Sequence, residues 1–196
     1  MGFLHRLIGR DRRLTAAEDG EAPGLVVARP RMDVGWVTAA GKVRDHNEDS
    51  ALVMMAAHDA HQRQTPFGLF ALADGMGGHR AGEVASSMAT RVAAHHITRQ
   101  SYLPSLLGPE RDARHPALTE VLIDAVQAAN QAVSEQVPGS GTTLVCALVL
   151  GTQAYIANVG DSRAYAITEE GIEQITRDHS VVDRLVDTGQ LTPEEA

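Results

Sequence analysis

A single cysteine, Cys146, in a chain of 196 residues excludes a disulfide scaffold and a thiolate-built structural zinc site, and it suits a reducing cytosol. Cys146 lies inside the apolar run Leu144-Val145-Cys146-Ala147-Leu148, where it reads as a small buried hydrophobe. Nothing basic stands near it in sequence, so it is a poor nucleophile. Long apolar stretches are also missing, and none approaches the roughly 20 residues that cross a bilayer. At the amino end Phe3, Leu4, Leu7 and Ile8 share a helical face, but His5 and Arg6 interrupt any signal-peptide core. Arg6 also stands where a myristoylation motif beginning at Gly2 needs Ser or Thr. Basic charge is scarce: 17 Lys and Arg against 25 Asp and Glu give a net charge of -8, which leaves no footprint for nucleic acid. No Gly-x-x-x-x-Gly-Lys loop, His-Glu-x-x-His pair or Gly-x-Ser-x-Gly elbow occurs, which removes the motif-based nucleotide, zinc-protease and serine-hydrolase readings.

What is present is a chain with 43% hydrophobic residues, enough for one sizeable core. Residues 1–31, rich in charge, proline and alanine, read as a tail or linker, and 32–196 as one domain. Short β patterns cover Val34–Thr38, Ala51–Met54, Gly68–Ala73, Thr143–Leu150, Gln153–Val159 and Ser162–Ile167. Helical spacing covers 81–97, with Ala81, Val84, Ala85, Met88 and Val92 on its apolar side. A second helix is predicted at 117–136, with Leu118, Val121, Leu122, Ala125, Ala129, Ala132 and Val133 as its stripe. Residues 101–116 between them read as loop. Strands, two long helices and then more strands joined by tight turns imply an α+β fold of antiparallel sheets with helices packed outside. Near the end, Ser180 and Gly189 bracket a short helix, and Thr192-Pro193-Glu194-Glu195 has the form of another helix start. A helix start so near Ala196 raises the expectation of a chain truncated at its carboxyl end.

The most informative stretch is Leu72-Ala73-Asp74-Gly75-Met76-Gly77-Gly78-His79. An apolar run delivers one carboxylate to a glycine-rich turn ahead of a helix. Hard cations take carboxylate and carbonyl oxygens, and glycine permits close backbone approach. Asp74 with the Gly75 carbonyl is therefore a candidate Mg2+ or Mn2+ seat, or else a capped strand-to-helix turn. Four further segments share this logic: Arg44-Asp45-His46-Asn47-Glu48-Asp49, Gly139-Ser140-Gly141-Thr142-Thr143, Asn158-Val159-Gly160-Asp161-Ser162-Arg163 and Thr176-Arg177-Asp178-His179-Ser180. Each alone reads as an ordinary polar turn.

In this order, the segments VRDHNED, DGMGGHRAGEVAS, SGTTL, ANVGDSRAY and TRDHSVVDRLV resemble the metal-dependent serine/threonine protein phosphatases, the type 2C or PPM family, in its bacterial form. The resemblance runs from about Asp33 to Ala196. It implies an α-β-β-α sandwich with a metal centre at one edge, between the sheets, and two or three Mn2+ or Mg2+ ions. By that resemblance Asp74 bridges two ions, the Gly75 carbonyl completes one, Glu48 and Asp49 act through bound waters, and Asp161 holds an additional, weaker ion. Arg44 holds the substrate phosphate through its guanidinium. Met76 stands where eukaryotic relatives often carry histidine, so His79 becomes the candidate general acid, against a purely structural hydrogen bond at the helix start. The implied partners are phosphorylated proteins made by serine/threonine kinases, in a cytoplasmic signalling setting. Two further aspartates that the family carries downstream have no counterpart after Asp161. The 196-residue chain is therefore expected to bind metal weakly and turn over slowly, and a non-catalytic phosphoprotein-binding module is the alternative.

Overall fold

The computed structural model describes residues 32–42, 45–60, 63–77, 81–106, 116–179 and 192. Two long strands dominate it: β1 (Asp49–Ala60) and β2 (Arg63–Met76) pair antiparallel from Asp49 opposite Asp74 to Ala60 opposite Arg63. After the helices, β3 (Gly141–Thr142) pairs with the end of β2, and β4 (Leu144–Leu150) and β5 (Gln153–Val159) extend the sheet. The sheet order is β1-β2-β4-β5, and a separate two-stranded sheet is made by β6 (Tyr165–Thr168) and β7 (Gly171–Gln174). All pairings are antiparallel, as the tight turns and the absence of strand–helix alternation imply.

Helix α1 (Ala81–Ile97) lies on β1 and β2, and α3 (Leu118–Gln136) packs against α1. Between them the helix continues as a π-turn (Thr98–Tyr102) and a single turn, α2 (Leu103–Ser105). The expected loop at 101–116 is thus helical in its first residues, because the Ser101 hydroxyl donates to the Ile97 carbonyl and Tyr102 stacks on Phe67 with ring centroids 4.5 Å apart. Helix α3 begins where expected, and Glu120 reaches back to accept the Ala117 N–H at 3.2 Å.

Strand alternation separates the two faces of the main sheet. Phe67, Leu69, Ala71 and Ala73 of β2 and Cys146 and Leu148 of β4 are buried under the helices with Ala85, Ala89, Ala93, Val121, Leu122 and Ala125. The buried side of α1 keeps Ala85 of the predicted stripe, with Met88 and Val92 packed partly buried against the core, but Val84 is exposed and Gly82, Ser86, Ala89, Thr90 and Ala93 also face inward. Small side chains let this helix approach the sheet closely, and two hydroxyls replace apolar contacts there. Ser86 donates to the Glu48 carbonyl at 2.6 Å, and Thr90 pairs with Ser50 at 2.9 Å.

Two strand expectations need correction. Residues 32–40 carry no strand, and Trp36 and Val37 there are exposed. Alternation marks a strand only where a neighbouring strand supplies a ladder, and no described strand pairs with this segment. The Ser162–Ile167 strand begins instead at Tyr165, after a turn fixed by side chains. The predicted short helix from Ser180 to Gly189 and the helix start at Thr192 lie outside the described elements.

Candidate functional site

Asp74 does not sit beyond the end of its strand. β2 continues to Met76, so Asp74 belongs to the sheet, directly across from Asp49 of β1. Both are exposed, on the face opposite the helices. Two carboxylates opposite each other on adjacent strands are an arrangement that a cation between them would favour.

The backbone around this pair is unusually constrained. The Asp74 N–H donates to the Thr143 hydroxyl at 2.9 Å, and its carbonyl accepts the Thr143 N–H and the Thr142 hydroxyl, both at 3.0 Å. The Gly75 N–H donates to the Glu48 carbonyl at 3.2 Å. A side chain at Gly75 would not fit: a Cβ there would lie 2.1 Å from the Gly82 carbonyl oxygen and 2.7 Å from that of Glu48. Glycine is thus required by the close approach of three backbone segments rather than by an unusual φ.

Glu48 is buried, with 8% exposure. Its carboxylate reaches the first turn of α1, where a Cβ on Gly82 would come 2.8 Å from Oε1. A helix N-terminus favours negative charge, which accounts for a carboxylate in so closed a place. The adjoining loop is braced by Asn47, whose Oδ1 accepts the Asp49 N–H at 3.0 Å. Asp161, exposed, lies in the turn between β5 and β6. That turn is joined to the Asp74 segment by the Ser162 hydroxyl, 2.7 Å from the Thr143 hydroxyl. Met76, at the end of β2, is exposed. Arg44 and His79, the candidate phosphate-holding and proton-donating residues, lie outside the described residues.

The structure thus brings Asp49 opposite Asp74, and Glu48 and Gly75 beside them. Among the described residues no three His, Cys, Asp or Glu side chains converge as a ready-made metal cluster. The donors present fit Mg2+ or Mn2+ rather than a softer ion: they are all oxygens, few in number, and Mg2+ keeps several waters. Thr143, Ser162 and Ser86 were not singled out from sequence as functional side chains. The SGTTL and GDSR segments carried the only signal for the first two. Cys146 behaves as expected, since burial pushes its thiol up to about 12.

The protein phosphatase 2C family profile matches residues 35–185. The serine/threonine phosphatase stp of Listeria monocytogenes is 37% identical over 165 residues, covering 84% of this chain and 62% of that protein. The serine/threonine protein phosphatase PstP of Mycobacterium tuberculosis is 39% identical over 162 residues, 80% of this chain and 27% of PstP. A crystal structure of the PstP catalytic domain in complex with two manganese ions superposes with a TM-score of 0.53 at 37% identity, covering 79% of this chain and 59% of that one. The chain therefore spans less than two thirds of the length of the Listeria relative.

Proposed function

The chain belongs to the protein phosphatase 2C family, and from that premise we propose that it hydrolyses phosphoserine and phosphothreonine in proteins, with Mn2+ or Mg2+ as cofactor. The observation that carries this reading is the Asp49–Asp74 pair, held opposite each other beside a glycine that only backbone can approach. The two manganese ions of the PstP catalytic domain support the choice of metal.

Asp74 and the Gly75 carbonyl would hold the ions, with Asp49 and Glu48 fixing their water shell and Asp161 a further ion. When bound, the ions supply positive charge against the phosphoryl dianion and make a water acidic enough to attack phosphorus near neutral pH. The chain's own residues then orient and neutralise. Arg44 would grip the equatorial oxygens in bidentate fashion, and His79 would give a proton to the departing serine or threonine oxygen. The bond broken is phosphorus to ester oxygen, the bond formed is phosphorus to water oxygen, and no covalent phosphoenzyme is needed. Cys146, sealed and protonated, takes no part.

Residues 32–196 would form the phosphatase domain and 1–31 its tail. A cytoplasmic setting is part of the proposal, and no helix among the described residues is long and apolar enough to cross a membrane. With Asp74 and Asp161 as the only carboxylates proposed to hold ions directly, weak metal binding and slow turnover are expected of the 196-residue chain.

Manganese-dependent hydrolysis of a small aryl phosphate tests the proposal. Slow turnover that Asp74→Asn lowers at least ~100-fold, equivalent to about 2.7 kcal/mol of transition-state stabilisation, supports it. Equal rates for Asp74→Asn and the unaltered chain at saturating manganese would overturn it. Phosphopeptide binding without any turnover would favour the non-catalytic module.

A further inference from the structure

Asp74, in strand β2, and Asp161, in the turn after β5, are far apart in sequence, and one buried residue is bonded to both segments. Thr143 is 2% exposed. Its N–H and hydroxyl bracket Asp74 from both sides, donating to the Asp74 carbonyl and accepting the Asp74 N–H. A hydroxyl has one proton and two lone pairs, so this leaves Thr143 free to complete a bond with the Ser162 hydroxyl at 2.7 Å. Gly160, next to Asp161, has a φ of +99° and packs so closely that a Cβ there would come 2.7 Å from the Thr143 Cγ2. The Gly160 carbonyl is itself tied down by the His179 N–H at 2.9 Å and the Asn158 side-chain amide at 3.3 Å. The turn that carries Asp161 is thereby pressed onto the residue that fixes Asp74.

We propose that the Thr143–Ser162 hydroxyl pair is a positioning device, which sets the Asp161 turn relative to the Asp74 strand end and so tunes divalent-cation affinity at Asp74. The proposal rests on the phosphatase reading, because it takes Asp74 to be a cation ligand. Its energetic logic is that losing a group that holds a ligand in place typically lowers metal affinity by about 10–100-fold. A lost buried hydroxyl also leaves its partner unsatisfied.

The test is Mn2+ binding to the 196-residue chain, read from loss of the free-ion paramagnetic resonance signal, with thermal unfolding measured alongside. Ser162→Ala is expected to weaken Mn2+ binding about tenfold with little change in the unfolding midpoint. Thr143→Val should weaken it at least as much, and Thr143→Ser, which keeps the hydroxyl, should restore it. Because the two groups act as one unit, Ser162→Ala added to Thr143→Val should cost nothing further. Unchanged Mn2+ affinity in Ser162→Ala, or fully additive effects in the double variant, overturns the inference while leaving the phosphatase reading intact. Mn2+ binding that is indifferent to Asp74→Asn overturns both.

Discussion

On the helix side of the main sheet Leu69, Ala73, Cys146 and Leu148 have no measurable exposure, whereas on the other side Asp49 and Asp74 reach solvent and Leu72, Ala147 and Ile156 stay partly exposed. The same strands make both faces. Ala73 lies fully in the core, its neighbour Asp74 points away from it, and Gly75 turns back beneath the Gly82 and Glu48 carbonyls. Alternation lets a rigid apolar layer present acidic groups one residue away from it. The closed face supplies stability, and the open face supplies the oxygens that chemistry requires. Placing Asp74 within a paired strand, rather than in a free loop, holds its backbone by three hydrogen bonds before any ion arrives.

The sharpest way to break this comparison is to shorten one leucine on each face of β2. Leu69→Ala removes a fully buried side chain from the cluster under α1 and is expected to cost ~2–5 kcal/mol of stability. Leu72→Ala, on the partly exposed face, should cost less than half as much, because water already reaches that site and little cavity remains. Denaturant unfolding of the two variants decides the matter. Equal losses would mean that both faces are sealed to the same degree.

Much of this division was legible in the sequence. The helix at 81–97 and the strand at 153–159 have the bounds that periodicity predicts, and the stripe of α3 is largely the observed one, with Val121, Leu122, Ala125, Ala129 and Val133 buried. The five acidic and glycine-rich segments also identified the family. Illegible was everything that depends on pairing between distant segments. The Asp49–Asp74 register and the Thr143–Ser162 contact join residues that no local pattern connects. The inward face of α1 was legible only in part, for a related reason. The predicted Ala85 is buried and Met88 and Val92 pack against the core, but Val84 is exposed, and close packing on the sheet also selects the small residues Gly82 and Ala89. The strand expected at Val34–Thr38 had alternation without a described strand to pair with, and alternation alone cannot supply hydrogen bonds.

Cys146 sharpens the comparison from the closed side. Burial lifts its thiol from 9.0 to about 12, so the folded chain keeps a proton that the unfolded chain loses. Stability is therefore unaffected by this group below about pH 9 and falls as pH rises from there towards 12, by roughly 1.4 kcal/mol per pH unit. Cys146→Ala should flatten that part of the stability curve. In the unaltered protein at pH 8, a thiol reagent is expected to label Cys146 only at the rate of unfolding. Prompt labelling of native protein would show that water enters the layer between α1 and β4.

The smallest effect is expected at the exposed pair beside the second sheet. Arg163 Nε donates to both carboxylate oxygens of Asp178, at 2.9 and 3.0 Å, and so ties the entry of β6 to the segment after β7. The arginine beside it holds the Asp178 carboxyl below the usual carboxylate value, and Asp178 in turn raises the Arg163 guanidinium. A carboxyl with a depressed folded pKa adds stability above its unfolded value near 3.8, and that contribution disappears as pH falls below it. Water surrounds Arg163, so the pair is screened and its worth is small. Arg163→Gln should therefore leave the unfolding midpoint near neutral pH almost unmoved, with any difference shrinking as pH falls below about 3.8 or in high salt. A large loss on Arg163→Gln at neutral pH would show that the β6–β7 sheet, despite its exposure, is held as firmly as the layer beneath α1.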